Sequence, residues 1–448
     1  MYPVKETLTG HVGLGKLMQT SLQGISQKAK RLKNNRFQNL YRLIDVNALG
    51  IAWKQLNKNA AAGIDKITAE EYAKNLKGNI VETVNSLKAK SYRTKLVRRV
   101  EIPKGEGKTR PLGIPATSDK IVQGATANIL KAIYENDFLD CSYGYRPKVG
   151  AENAVKDLTK EIQGKYSYIV EADIKGFFNN INHEWLIKML EQRVNDKAFT
   201  GLIKKWLKAG VMETDGNVIH PVTGTPQGGI ISPILANIYL HYVIDLWFEK
   251  KVKPACEGES YICRYADDFI CAFRYKDDAE RFYNALGERL NKFGLELAKE
   301  KTNIISFSRF RKHENTYFEF LGFEFRWGKS RKGKDIILRR TSRKKFKKSL
   351  QNFKEWCKEN RDKRLATLFA MLNAKLRGYY NYYGVIGNYE SLNKFFYEAK
   401  KILYKWLNRR SQRKSFNFRE FARAIEYYGM LKPRVTEKRD NQIKFEFI

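Results

Sequence analysis

Cysteine and histidine are scarce in this chain of 448 residues, which contains five of each. No two cysteines form a Cys-x-x-Cys pair, and the histidines do not cluster near them. The cysteines are Cys141, Cys256, Cys263, Cys271 and Cys357. Zinc sites and disulfide frameworks show such pairs at short spacing. The sequence therefore predicts neither kind of site.

Long hydrophobic runs are also missing. Residues Met1–Thr20 lack the apolar stretch of a signal peptide. The longest apolar region, Gly228–Phe248, is interrupted by a proline and three polar residues, which are Pro233, Asn237, His241 and Asp245. A membrane-spanning helix needs about 20 mostly apolar residues. We therefore expect no membrane partner and a cytoplasmic protein.

Acidic residues are few relative to basic ones. The chain has 48 Asp and Glu against 84 Lys and Arg, which gives a net charge of +36. Solubility needs far less charge, so this excess indicates a polyanionic partner. Ribosomal and chromatin proteins are similarly basic, but they rarely contain 43% hydrophobic residues, and the 13% of aromatic residues adds surfaces for base stacking. These values favour an enzyme that acts on nucleic acid.

The chain has room for roughly two to three domains, and its pattern changes along its length. Residues 1–60 are basic and mostly helical in periodicity. Val97–Ile102 alternates as a strand does, and a turn at Pro103–Lys108 leads to Arg110–Pro115, which predicts a hairpin with a basic tip. The charged, glycine-containing segment Gly328–Asp335 predicts a domain boundary.

Beyond that segment the periodicity is helical. Four leucines share one face of a helix, and Gly378 is expected to end it. These leucines are Leu365, Leu368, Leu372 and Leu376. A second apolar stripe follows at Leu392, Phe395, Ala399, Ile402 and Trp406, accompanied by many lysines and arginines. Most aromatic residues of this region are expected in the core.

Two adjacent carboxylates, Asp267 and Asp268, interrupt an apolar segment that reads as strand, turn and strand over residues 261–273. Adjacent carboxylates repel each other and are costly to desolvate. Between buried strands they are expected mainly where a cation holds them together. Acidic pairs are nevertheless common at turns and helix starts, and Asp277–Asp278 is expected to be such a pair.

A third carboxylate, Asp173, ends the predicted strand Tyr166–Asp173. If this strand is a neighbour of the Asp267–Asp268 hairpin, the three carboxylates could hold two divalent ions. Transfer of a nucleotide to the end of a nucleic-acid strand uses two such ions about 3.5–4 Å apart. Hard ions such as Mg²⁺ prefer carboxylate oxygens.

The sequence around these carboxylates resembles that of the bacterial group II intron reverse transcriptase–maturases. Tyr265–Asp268 is similar to their catalytic box, and the other blocks follow the order of the family: Arg110–Pro115, Asp173–Phe178, Thr225–Gly229 and Phe320–Phe323. Leu376–Tyr383 resembles their maturase region, and the likeness runs from about residue 30 to about residue 435. The resemblance implies an α+β right-hand polymerase. Its fingers and palm, with an antiparallel palm sheet, helices and a basic N-terminal extension, would occupy residues 1–330. A helical thumb or maturase (X) domain would occupy residues 331–448.

The resemblance also implies roles for individual residues. The metal ligands would be Asp173, Ile174, Asp267 and Asp268, and the three aspartates would be catalytic. They would bind two Mg²⁺ ions, or Mn²⁺. Lys104 and Arg110 would bind the incoming triphosphate. For single lysines and arginines, the alternative is a solvated surface charge.

The remaining implied residues contact the sugar and the primer. Phe178 would clash with a ribose 2′-hydroxyl, although Phe177 could be the exposed ring instead, and either could be core. Gln227 would lie near the nucleotide sugar, and Gly228 would allow close approach of the backbone. Leu321 and Gly322 would form the primer grip.

The implied function is RNA-directed DNA synthesis from dNTPs on a primer paired with RNA. Partners would be an RNA template, the RNA/DNA duplex and a group II intron RNA, which the thumb would help to splice. Alternatives are a domesticated reverse transcriptase in phage defence, CRISPR adaptation or repair, and a splicing factor with a vestigial polymerase site. The chain ends at Ile448 without the endonuclease segment of many relatives, so we expect a primer made elsewhere.

Overall fold

The computed structural model describes residues 11–105, 108–310, 316–330, 332–410 and 415–437, with the main chain alone for residues 11–20, 104, 105 and 108. Within these ranges, helices surround three sheets, so the predicted α+β fold is confirmed.

The first twelve helices belong to the region expected to form the fingers and palm. They are α1 (His11–Arg31), α2 (Val46–Gln55), α3 (Ala69–Lys74), α4 (Leu76–Lys88), α5 (Thr117–Tyr134), α6 (Ala151–Glu161), α7 (Phe177–Asn180), α8 (His183–Leu190), α9 (Lys197–Leu207), α10 (Ser232–Leu240), α11 (Lys253–Ala255) and α12 (Lys276–Lys292). Between α10 and α11 the chain is π-helical at His241–Asp245 and Phe248–Val252. No helix in the described residues is both long and apolar enough to cross a membrane.

The strands of the described residues form three sheets. They are β1 (Val97–Gly105), β2 (Lys108–Ile114), β3 (Tyr168–Ala172), β4 (Val211–Met212), β5 (Val218–Ile219), β6 (Ser260–Tyr265), β7 (Asp268–Phe273), β8 (Asn303–Ser306), β9 (Phe318–Phe320), β10 (Phe323–Lys329) and β11 (Asp335–Thr341).

The fingers sheet has the order β2-β1-β4-β5 and contains the predicted hairpin. β1 and β2 are antiparallel, with Ile102 opposite Arg110 and Glu101 opposite Pro111. Proline cannot donate a main-chain hydrogen bond, and Pro111 is accommodated because β2 is an edge strand. The hairpin thereby holds Arg110 on an exposed strand near its tip.

The palm sheet has the order β6-β7-β3-β8, and all of its neighbouring strands are antiparallel. β7 lies inside the sheet and is buried from Phe269 to Phe273. A strand buried on both faces reads as a continuous apolar run rather than as an alternation. This explains why β7 lacks polar residues after Asp268.

Two hydrophobic cores lie on opposite faces of the palm sheet. Val170 and Phe269 belong to the core that contains helices α5, α8 and α10. Ile169 and Ile270 belong to a second core, which contains α6 and the thumb. Consecutive residues of one strand point to opposite faces of a sheet. The palm sheet is therefore packed between the helices of the fingers and palm and the thumb.

The third sheet, β11-β10-β9, crosses the expected domain boundary, because β9 and β10 precede residue 331 and β11 follows it. It shares a core with the four helices of the thumb. These helices are α13 (Arg343–Asn360), α14 (Leu365–Tyr383), α15 (Tyr389–Leu407) and α16 (Phe418–Tyr428). Both predicted apolar stripes lie on single helices. The prediction that Gly378 ends the first of them was wrong, because α14 continues to Tyr383. A glycine inside a helix costs about 1 kcal/mol, and the packing of the buried Tyr380 and Tyr383 offsets that cost.

Candidate active site

The register of the palm sheet places Asp173 beside the Asp267–Asp268 pair. β3 pairs with β7 as far as Ala172 opposite Phe269, so Asp173, one residue further along, comes level with Asp268. Asp267 lies in the turn between β6 and β7. The three carboxylates therefore lie at the same end of the sheet, where β3 ends and β7 begins.

Crowding and burial raise the pKa values of the acidic pair. Burial, followed by the charges of Asp267 and Asp173, raises the pKa of the Asp268 carboxyl to about 6. The pKa of Asp267 is raised mainly by burial, with a contribution from Asp173. The negative charges of Asp173 and Asp267 therefore oppose ionisation of Asp268. A divalent cation would relieve this repulsion, and the oxygen donors suit Mg²⁺.

Lys301, which precedes β8, forms an ion pair with Asp173. Its Nζ lies 2.6 Å from Asp173 Oδ2, and 61% of the Lys301 side chain is exposed. In the described residues, no three Asp, Glu, His or Cys side chains are already arranged to hold a metal ion. Metal binding at Asp173 would require Lys301 to move. Exposed ion pairs contribute only about 0–1 kcal/mol, so this rearrangement costs little.

The turn that carries Asp267 is held from behind by Arg264. Arg264 is completely buried, and its guanidinium donates hydrogen bonds to the carbonyl of Ala266 at 2.9 Å and to the hydroxyl of Ser142 at 2.6 Å. Ala266 has a left-handed backbone, with φ at 57°. A Cβ atom at Gly144 would lie 2.3 Å from the Ala266 nitrogen, so only glycine allows the two chains to approach so closely.

A cavity of about 330 Å³ opens beside Asp173 and Asp267. It unites residues from the fingers hairpin, from the β3–α7 connection and from the loop before α10. These residues are Arg110, Leu112, Tyr145, Asp173, Ile174, Gly176, Phe177, Phe178, Gln227, Gly228, Gly229, Ser232, Pro233, Asp267 and Lys301. Ile174 is buried and has no side-chain donor, so its main-chain oxygen is its only possible metal ligand.

The structure distinguishes the two adjacent phenylalanines of α7. Phe177 is only 2% exposed and packs in the core against Tyr239, with ring centroids 6.4 Å apart. Phe178 is half-buried and has its ring edge-on to Tyr145, with centroids 6.5 Å apart. Phe178 is therefore the ring that is free to meet a ligand in the cavity, and Phe177 supports it from the core.

The loop that carries Gln227 is fixed to the fingers hairpin. The Gly113 nitrogen donates a hydrogen bond to the Gln227 carbonyl at 2.7 Å. Gly228 has φ at 120°, and a Cβ atom there would lie 2.6 Å from the Gly113 carbonyl oxygen. This close approach requires glycine. The main chain at Gln227 is thereby fixed against β2, and Gln227 lines the cavity.

Three other predicted residues, Asp268, Leu321 and Gly322, do not line the cavity. Leu321 and Gly322 form the two-residue turn between β9 and β10, with φ values of 50° and 82°. Asp268 is level with Asp173 but does not line the cavity. The side chain of Lys104 lies outside the described residues.

Comparisons with known proteins assign the chain to a family. Residues 102–325 match the family described as reverse transcriptase (RNA-dependent DNA polymerase), and residues 343–427 match the group II intron, maturase-specific domain. The group II intron-encoded protein LtrA of Lactococcus lactis subsp. cremoris is 31% identical over 84% of this chain and 75% of its own length. The chain belongs to the group II intron-encoded reverse transcriptases.

Two further similarities accompany this assignment. Protein YkfC of Escherichia coli is 33% identical over 53% of this chain and 68% of its own length. A structure of telomerase from Candida albicans with a fragment of telomeric RNA aligns with a TM-score of 0.41 and 14% identity, over 76% of this chain and 64% of that chain. This second likeness is too weak to support an argument.

Membership establishes the general activity. The chain is a reverse transcriptase, an RNA-directed DNA polymerase, and it carries a maturase-specific domain. The expected resemblance and right-hand polymerase fold are confirmed. Its partners include RNA, and reverse transcriptases generally depend on divalent metal ions.

Sequence reasoning missed three residues at this site. Lys301 reaches Asp173 from the segment before β8, Tyr145 packs on Phe178, and Arg264 supports the turn that carries Asp267. Arg264 carried the clearest signal, because a cation in an otherwise apolar strand must be paired when it is buried. Lys301 and Tyr145 carried none that separates them from the other lysines and tyrosines.

Proposed function

We propose that Asp173, Asp267 and Asp268 form the catalytic centre for DNA synthesis on an RNA template. The observation that carries the proposal is the register of β3 against β7, which brings the three carboxylates to one end of the sheet beside the cavity. These carboxylates, with the main-chain oxygen of Ile174, would hold two Mg²⁺ ions, or Mn²⁺. When bound, the ions would activate the primer hydroxyl and neutralise the triphosphate.

The cavity supports the binding of a dNTP. Arg110 is exposed on the fingers hairpin and offers a planar guanidinium to the phosphates. Gln227 and the main chain of Gly228 would line the sugar side. Phe178 would exclude a 2′-hydroxyl by its volume. Lys104, on the same hairpin, is proposed as a second phosphate contact on the basis of sequence alone.

The primer strand would pass the Leu321–Gly322 turn on its way to the carboxylates. Beyond that turn, α13 presents a row of exposed cations, which include Arg343, Lys345, Lys347, Lys354 and Lys358. Such a row suits the phosphates of an RNA/DNA duplex, and the A-form geometry of that duplex is recognised mainly through its backbone.

We further propose that a group II intron RNA is bound and that its splicing is assisted. The match of residues 343–427 to the maturase-specific domain supports this. The two matches end at 325 and begin at 343, which supports the proposed division into residues 1–330 and 331–448. The similarity to proteins of Lactococcus lactis and Escherichia coli supports a place in the bacterial cytoplasm.

Extension of a labelled DNA primer on an RNA template tests the catalytic centre. Asp267→Asn combined with Asp268→Asn should abolish extension in Mg²⁺, while the affinity for the RNA–primer duplex stays within about twofold, since duplex contacts lie mainly on the thumb. Asp277→Asn, at the exposed acidic start of α12, is the matched control and should extend normally. Extension by the double variant would refute the assignment.

A further inference from the structure

The turn between β9 and β10 is held by the thumb through both of its carbonyl groups. The hydroxyl of Tyr382, near the end of α14, donates a hydrogen bond to the Leu321 carbonyl at 2.9 Å. The main-chain nitrogen of Ser342 donates to the Gly322 carbonyl, also at 2.9 Å. Leu321 has a left-handed backbone, a conformation that is strained for any residue with a side chain. The turn therefore depends on such hydrogen bonds to hold this conformation.

The ring of Tyr382 is fixed by its neighbours yet remains accessible. It stacks on Phe323, with centroids 5.9 Å apart and planes at 16°, and it meets Tyr383 edge-on at 4.8 Å. Even so, 43% of Tyr382 is exposed. Tyr382 therefore supports the Leu321 carbonyl through its hydroxyl, while part of its ring stays exposed to solvent.

Tyr382 also interacts electrostatically with Asp268. Burial raises the pKa of its phenol, and smaller contributions come from Tyr265 and Asp268. Lys345 packs over Gly322, where a Cβ atom would lie 3.3 Å from the Lys345 side chain. The charge of Lys345 also acts on Asp268. Tyr382 and Lys345 therefore both lie against the Leu321–Gly322 turn, and both interact electrostatically with Asp268.

We propose that Tyr382 is a positioning residue for the primer terminus. By holding the Leu321 carbonyl, it sets the distance between the turn and Asp267–Asp268, and it makes α14 of the thumb part of the alignment of the primer 3′-hydroxyl. The inference rests on the proposed catalytic centre. Misplacement of a reacting group by about 1 Å can slow a reaction about 100-fold, so the loss of one supporting hydrogen bond should be visible in the rate.

The test compares Tyr382→Phe with Tyr397→Phe in the full chain. The first variant removes the hydroxyl and keeps the stacked ring. The second removes a hydroxyl from a tyrosine on α15 that is 55% exposed. Single-turnover incorporation of one nucleotide is measured on a saturating RNA–primer duplex, together with the half-saturating dNTP concentration, the duplex affinity and the Tm.

Tyr382→Phe should slow incorporation about tenfold. Its half-saturating dNTP concentration and its duplex affinity should change less than about twofold, since Arg110, Gln227 and α13 are untouched. Its Tm should match that of Tyr397→Phe, which should behave as the unaltered protein in every measurement.

Three results would overturn the inference. An unchanged rate would show that the hydroxyl does not align the primer. A slower rate with a matching loss of Tm would reduce Tyr382 to a structural residue. Equal losses in rate and duplex affinity would make it a binding residue. If the unaltered protein incorporates no nucleotide, the proposed catalytic centre itself fails, which is a separate outcome.

Discussion

The Arg264 guanidinium and the Asp245 carboxylate form a two-pronged ion pair directly behind the turn that carries Asp267. Nε and one terminal nitrogen of Arg264 lie 2.6 Å from Oδ1 and Oδ2 of Asp245, respectively, and both side chains are 0% exposed. The remaining guanidinium hydrogen bonds go to Asn237, Ser142 and the Ala266 carbonyl. One buried cation thus joins the π-helical segment after α10 to the turn that carries Asp267.

Breaking this pair from either side should strongly destabilise the protein. Asp245→Leu and Arg264→Met should each lower the free energy of unfolding by about 3–5 kcal/mol, because each leaves a buried charge unpaired. The double variant should lose less than the sum of the two, as measured by urea unfolding. It should still extend primers poorly, since the Ala266 carbonyl has lost its donor. Strictly additive losses would contradict a coupled pair.

Acid should destabilise the fold through His241. Burial lowers the pKa of its imidazole from 6.5 to about 4, although Asp245 opposes the shift. Between these values the unfolded chain binds a proton that the folded protein excludes, so stability falls as the pH drops through this window. The loss should reach about 3 kcal/mol at pH 4.

Non-titrating replacements isolate the contribution of His241. Urea unfolding of His241→Phe from pH 7 to pH 4 should show a shallower loss of stability, and the ring should still pack against Phe138. The exposed His220 provides the matched control, and His220→Gln should keep the original slope. Identical slopes in all three proteins would refute the assignment.

Phe178→Ala should relax the discrimination against ribonucleotides. The side chain lines the cavity, so its loss makes room for a 2′-hydroxyl, and the ratio of rNTP to dNTP incorporation efficiency should rise more than about tenfold. Phe177→Ala should instead cost about 3–5 kcal/mol of stability through the core, with the ratio unchanged. An unchanged ratio in Phe178→Ala would exclude this ring as the gate.

Lys301→Ala should strengthen divalent metal binding. It removes a cation that lies 2.6 Å from Asp173 Oδ2, and calorimetric titration with Mn²⁺ should show tighter binding by about threefold to tenfold. Stability should change by less than about 1 kcal/mol. Lys253→Ala, which breaks an exposed pair with Glu249, is the control. Weaker Mn²⁺ binding in Lys301→Ala would show that Lys301 supports the metal site instead of competing for it.

The sequence was informative where local patterns determine the structure. The acidic pair between apolar strands and the strand that ends at Asp173 were both identified, because a turn and a run of buried residues are local features. That α14 extends past Gly378 could not be read locally, since the packing of Tyr380 and Tyr383 in the thumb core decides it. The partners of Arg264 were equally hidden, because Ser142 lies 122 residues away in sequence.

The two faces of the palm sheet belong to two different cores, and one of these cores is formed together with the thumb. The sequence of residues 328–335 predicts a domain boundary, yet a fragment ending there would uncover the face of the palm sheet that carries Ile169, Cys263 and Ile270. Those apolar side chains would then be exposed to solvent. The thumb therefore covers one face of the palm sheet, and the palm needs this cover to fold stably even before any duplex is bound.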